Sequence, residues 1–229
     1  RSMDIGASQR AATSALISLL EANSQGTAML VASEHRRTKA GSRSEMLWGD
    51  AAAAITTGSE NIIAEFLGAE TLAEDFVDHY RGEDSSFNYD WEERWIRDEG
   101  FMKTLPKVVA NVLENASVEA ADIKHFILPT DQARTPAAFA KKLGINAEAI
   151  IDNQIATVGV AGAAQAILLL AKALQNAAPG DLMLVTGFGQ GCDAILLRAT
   201  ELVNSIKPKL GVNGAIARRR EDTNYNRFM

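Results

Sequence analysis

Cysteine is nearly missing from this chain: Cys192 is the only one in 229 residues. A lone cysteine excludes an intrachain disulfide and any zinc site built on several thiolates, and it fits a reducing cytoplasm. Surplus positive charge is missing too. With 23 basic against 29 acidic side chains the net charge is −6, which argues against a nucleic-acid surface, since that needs a basic stripe. Arg218-Arg219-Arg220 is the one tight basic run, and Glu221 and Asp222 follow it directly, so it reads as a solvated helix end. Long apolar runs are also scarce. The longest, Ile155 to Leu174, is interrupted by Gly159, Gly162, Gln165 and Lys172, the pattern of a buried helix rather than a membrane span. No signal-peptide pattern is present, and Arg1-Ser2 ahead of Met3 reads as a cloning remnant or as the visible start of something longer. His35 and His79 have no partners at metal-ligand spacing, so both are expected at the surface or an interface, with no metal site.

What is there is ordinary for a globular chain: 47% hydrophobic and 23% charged residues, enough to bury a core in one domain. The most informative segment is Leu182 to Ala199. Two apolar runs of strand length flank Gly187-Phe188-Gly189-Gln190-Gly191, which predicts a buried hairpin. Glycines at alternate positions strip Cβ atoms from one side of that turn, so a backbone or a ligand can approach closely.

Periodicity predicts helices over Thr13 to Glu21, which ends towards Asn23 and Gly26, and over Glu92 to Ile96, Met102 to Asn115, Pro136 to Leu143 and Val160 to Leu174. The third of these is amphipathic through Leu105, Val108, Val109, Val112 and Leu113. A buried strand is expected over Thr27 to Ser33, and further strands over Ala51 to Thr57 and Lys124 to Leu128, the last stopped by Pro129. Residues 58–100 show the least regular pattern. Their carboxylates (Asp84, Asp90, Glu92, Glu93, Asp98, Glu99) alternate with Arg81, Arg94 and Arg97 and read as a solvated ion-pair surface, while Trp91 and Trp95 suit a core or a subunit contact. Strands alternating with helices make this an α/β fold.

Four stretches occur together: Gly49-Asp50-Ala51-Ala52-Ala53-Ala54-Ile55, Pro129 before Ala140-Lys141-Lys142-Leu143-Gly144-Ile145, Gly159 to Leu174, and the glycine turn. Their order and spacing resemble condensing enzymes of the thiolase superfamily, in the hydroxymethylglutaryl-CoA synthase and ketoacyl synthase III branch. The resemblance implies a layered α-β-α-β-α sandwich over residues 1–203, and a tail over 204–229 that would link to an accessory module. Asp4-Ile5-Gly6-Ala7 is similar to the strand that leads to the nucleophile, so the first part of the N-terminal half is expected to be missing from this chain.

Condensation of thioesters needs a thiolate to carry the acyl group, an oxyanion site for the enolate and a base or hydrogen-bond donor beside the α-carbon, which the family that the chain resembles supplies as cysteine, histidine and asparagine. By the resemblance, the cysteine's place falls on Gln9, with Ser8 just before it. The histidine's place falls on Thr130 or Asp131, and the asparagine's on Val160. His125 lies too early in the strand and reads as a strand-entry residue; Cys192 reads as a small buried side chain. The resemblance further implies that Gly187, Phe188, Gly189 and Gly159 line an acyl site. The expected ligand is CoA or an acyl-carrier thioester, with no covalently bound cofactor. The expected partner is a thiolase-fold subunit, the same or different, with an accessory protein carrying a zinc ribbon and an OB-fold, and no nucleic acid or membrane. The reading is therefore a non-catalytic subunit of an acyl-thioester condensing complex. Its alternatives are a decarboxylase or acyltransferase acting through Gln9 or Ser8, and an acyl-CoA binding module.

Overall fold

The computed structural model describes residues 2–6, 8–22, 26–205 and 210–228. Arg1, Ala7 of the nucleophile-strand motif and Asn23 at the expected helix end lie outside the described residues. The chain runs α1 (Ala11–Glu21), β1 (Ala28–Glu34), α2 (Arg43–Leu47), β2 (Ala51–Thr57), β3 (Ala64–Ala73), β4 (His79–Tyr80), β5 (Tyr89–Asp90), α3 (Glu93–Trp95) and α4 (Met102–Asn115). It continues through β6 (Ile123–Ile127), α5 (Thr135–Leu143), α6 (Gln165–Asn176), β7 (Leu182–Phe188), β8 (Gly191–Ala199), α7 (Gly211–Ala217) and α8 (Tyr225–Phe228). Among the described residues no helix is long and apolar enough to cross a membrane.

The principal sheet has the order β3-β8-β7-β6, antiparallel except for the parallel β6–β7 pair. Strand residues alternate between its two faces, and the core divides accordingly. Met183, Val185, Ile195 and Leu197 pack with Leu16 of α1 and Leu169 of α6. Leu184, Ala194 and Leu196 pack with Leu105 and Val109 of α4 and Phe139 of α5. On the far side of α1 and α6, the antiparallel pair β1–β2 adds Leu30, Ala32, Ala53 and Ile55 to the first core. The order is thus helices, sheet, helices, sheet, a thiolase-like layering. Helix α6 sits between the two sheets, which is why Ile167, Leu168, Leu169 and Leu170 are buried in succession. A helix that is apolar all round belongs between layers.

Four sequence expectations need correction. The strand β1 is half-buried rather than buried, because only one of its faces meets a helix; Met29 and Val31 are 64% and 59% exposed. The long helix starts at Gln165 rather than Val160, since Val160 bridges Trp48 and a 3-10 turn occupies Gly162–Ala164. Strand β3 falls in the stretch that looked irregular; its alternation is broken by a bulge between Phe66 and Gly68, and two glutamates lie on it. The short helix at Glu93 does not stop at Ile96. It passes through a π-helical turn, Ile96–Phe101, straight into α4.

Helix α4 also carries a proline in its interior. Pro106 has no N–H, so the carbonyl of Met102 loses its helical donor. Lys142 of α5 supplies a substitute, with Nζ donating to Met102 O at 2.8 Å.

Candidate functional site

Gln9 stands immediately before α1, and the glycine turn between β7 and β8 holds that segment in place. Ser8 Oγ and Arg10 Nε both donate to Gly189 O at 2.8 Å. Arg10 Nη1 donates to Asp193 Oδ1 at 2.7 Å. Asp193 is fully buried, and it also accepts from Thr13, Ser14 and Thr71. Gly187 lets α1 come this close, because a Cβ there would collide with the Thr13 hydroxyl.

With α1 fixed, Gln9 faces a cavity of about 110 Å³ that Thr130, Asp131, Val160, Gly187 and Phe188 also line. Residues from four distant stretches of the chain thus meet at one place. Thr130 and Asp131 arrive on the loop after β6. Val160 is set by backbone bonds to the Trp48 region, its N–H donating to Leu47 O at 2.7 Å and its carbonyl accepting from Gly49 N at 3.1 Å. Phe188 is stacked on Phe101 with ring centroids 4.2 Å apart.

Three residues placed at the site from the sequence do not line the cavity. The Ser8 hydroxyl is engaged by Gly189 O and the Arg10 N–H, so it is turned to the hairpin. Gly189 offers its carbonyl to Ser8 and Arg10. Gly159 has φ +82° and packs against Gly49, where a Cβ would sit 2.8 Å from the Gly49 nitrogen. Its glycine serves a backbone crossing between the Trp48 and Val160 segments.

Other lining residues escaped the sequence reading. His79 was expected at a surface or interface, yet its side chain is only 17% exposed. Its Nδ1 is 2.9 Å from Gln9 Nε2 and 3.1 Å from Asp78 Oδ1. Asp90 and Glu93 are exposed, as the reading of a solvated surface expects, and line the cavity as well. Arg43 closes one side through Asp131 Oδ2 at 2.9 Å and Glu93 Oε2 at 3.6 Å. Arg36 stacks 4.7 Å above the Trp48 ring and pairs with Glu34 at 3.0 Å. Burial pushes the Glu34 carboxyl up, but Arg36 and the Ala163 N–H outweigh it and hold the group below its ordinary value. Trp91 also lines the cavity, and Trp95 stacks on Phe76 at 6.2 Å. His125 is remote: its Nε2 lies 3.0 Å from Asp181 Oδ2.

Cys192 is not among the lining residues. It is fully buried next to the turn, and burial pushes its thiol up to about 11. The thiolate is the reactive form, so at pH 8 iodoacetamide should leave the native chain unmodified. Alkylation in guanidinium should go to completion; rapid native labelling would contradict the placement.

Residues 113–198 match the family model of the C-terminal part of 3-oxoacyl-[acyl-carrier-protein] synthase III. The hydroxymethylglutaryl-CoA synthase of Caldivirga maquilingensis is 26% identical over 177 residues, which is 77% of this chain and 50% of that protein. The same enzyme of Aeropyrum pernix is 27% identical over 198 residues, covering 85% and 55%. Among solved structures, 3-oxoacyl-(acyl carrier protein) synthase III from Pseudomonas aeruginosa PAO1 superposes with a TM-score of 0.74 at 22% identity, over 86% of this chain and 67% of that one. A hydroxymethylglutaryl-CoA synthase complexed with CoA gives a TM-score of 0.72 at 16% identity, over 98% and 62%. The chain spans about half the length of the curated relatives it matches. It is similar to thiolase-superfamily condensing enzymes in sequence, and the structural neighbours show the same fold.

Proposed function

We propose that this chain, thiolase-like in fold and similar in sequence to condensing acyltransferases, is a non-catalytic subunit that binds an acyl thioester beside an active partner. One observation carries the reading. The cavity assembles the places where the resemblance expects thiolate, imidazole and amide, and they hold Gln9, Thr130 or Asp131, and Val160. An amide cannot form a thioester, valine offers no hydrogen bond, and the one cysteine is a protonated core residue. CoA as the carrier is supported by two structural neighbours, which are complexes with CoA and with 3-hydroxy-3-methylglutaryl coenzyme A.

A partner of similar fold is supported by the surface. The outer face of β1 presents Met29 and Val31 to solvent. A large open groove of about 1000 Å³ runs along β2 and α6, lined by Leu16, Leu20, Ile55, Leu174 and Ile216.

A second reading, decarboxylation of a carboxylated acyl thioester, is favoured by the imidazole of His79 against Gln9. Thermal-shift titration with acetyl-CoA, combined with mass spectrometry of malonyl-CoA incubated with the chain, separates the two. A subunit that only binds gains stability by mass action and releases no CoA. Catalytic conversion of malonyl-CoA to acetyl-CoA and CO2 by the purified chain, abolished in Gln9→Ala, would sink the non-catalytic reading.

A further inference from the structure

Two of the three tyrosines and two of the three tryptophans lie between Tyr80 and Trp95, each 47–57% exposed. The hairpin β4–β5 sets Tyr80 opposite Tyr89, and Trp91, two residues on, falls on the same side. The rings form a ladder, with 5.4 Å between the tyrosine centroids and 6.3 Å from Tyr89 to Trp91. Contiguous exposed rings of this kind mark contact surfaces. The charge around them is one-sided. Residues 79–95 hold five carboxylates and two guanidiniums, and the exposed carboxylates of Glu83 and Asp84 have no partner among the described residues.

The electrostatic complement is on the same chain. Arg218, Arg219 and Arg220, which follow α7, are exposed, and none of them pairs with a carboxylate among the described residues. Of the two acids that come next, Asp222 is taken by Arg227 at 3.2 Å. The arginine run and the ladder both flank α2. Tyr225 Oη donates to Glu45 Oε1 at 2.8 Å, and Ser44 Oγ donates to Asp90 Oδ2 at 3.1 Å. Arg220 stands five residues before Tyr225, so the chain keeps it within about 18 Å of that anchor.

We propose that two copies of this chain pair around a two-fold axis beside α2, each laying its arginine run against the other's aromatic ladder and carboxylates. A guanidinium can stack on a ring face while its N–H groups fork to a carboxylate. Trp, Tyr and Arg are also the residue types that carry most of the energy at protein contacts. Because both patches lie on the α2 side, one rotation forms the two contacts at once and closes the assembly. Asp90 and Trp91 also line the cavity, so the second copy stands at its entrance. The outer face of β1 stays free for the partner of the subunit reading, and the pairing does not depend on what the cavity binds.

Light scattering on the full chain, at concentrations rising through the micromolar range, tests the pairing. The mass should settle at two chains, with a dissociation constant at least about tenfold weaker in high salt. Glu83→Arg with Asp84→Arg, and separately Arg218→Glu with Arg220→Glu, should each leave a monomer, because like charges then meet at both contacts. An equal mixture of the two variants should recover the dimer, which also shows that both are folded. Tyr89→Ala, which removes the middle ring, should weaken pairing about tenfold; an unchanged constant overturns the role of the ladder. A monomer throughout the range overturns the proposal, as does a dimer that neither charge reversal weakens. A dimer lost instead in Val31→Asp places the contact on the outer face of β1 and overturns it too. Mass that climbs past two chains, or variants folded by circular dichroism that stay apart when mixed, contradicts the reciprocal two-fold arrangement.

Discussion

Asp193→Ala should destabilise the chain by about 3–5 kcal/mol, the range seen when one partner of a buried ion pair is removed. The cause is the number of groups that depend on this carboxylate. It accepts from Arg10 Nη1, Thr13 Oγ1 and Ser14 Oγ at 2.7 Å each and from Thr71 Oγ1 at 2.9 Å, while being 0% exposed. Its removal leaves Nη1 of a guanidinium that is 15% exposed without its carboxylate, and leaves the Thr13 hydroxyl, in a residue 1% exposed, only the Arg10 carbonyl to donate to. Buried donors left unmatched cost their full desolvation. A domain of ordinary stability holds only about 5–15 kcal/mol in total, so the variant is expected near its unfolding threshold. Urea denaturation measures the loss. A change below about 1 kcal/mol would mean that the network does not join the pre-α1 segment to the hairpin. Asp193→Asn, which keeps the shape and one acceptor oxygen, should fall between the two.

Gln9→Cys is expected to give a chain that takes up an acetyl group from acetyl-CoA, approaching one per chain. The position lies just ahead of the eleven-residue helix α1, whose first N–H groups and dipole favour a thiolate over a thiol. The His79 ring lies within 2.9 Å of the present amide and can accept the proton. The thiolate introduced at position 9 displaces the CoA thiolate from the acyl carbon, so CoA thiol appears in equal amount. No carbon–carbon bond should follow, because Val160, and Thr130 or Asp131, still occupy the places where the resemblance expects amide and imidazole. Intact mass spectrometry reads the adduct. Its absence in a folded variant would show that residue 9 is not where a nucleophile would stand.

Much of this architecture was legible because its signals are local. The amphipathic period of Leu105 to Leu113 gave α4, Gly144 gave the end of α5 with its left-handed cap, and the glycine turn gave the hairpin. The residues gathered around the cavity were legible only through the resemblance, since no local pattern joins Gln9 to Asp131 or Val160. Other features were hidden for identifiable reasons. Strand β3 is interrupted by a bulge, so its period of two fails in the middle. His79 looked isolated because Gln9, its neighbour in space, is 70 residues away in sequence. Asp193 did leave a signal: it is a lone charge inside the apolar run Cys192 to Leu197. A buried acid requires a partner, and asking which cation answers it leads to Arg10.

The most direct measurement is the intact mass of the unmodified chain after incubation with acetyl-CoA at concentrations that raise its melting temperature. If the scaffold has kept the acyl site and lost its nucleophile, the mass stays unchanged and no CoA thiol is released. An acetyl adduct mapping to Ser8 or Cys192, or CoA release that disappears in Ser8→Ala, would contradict that account.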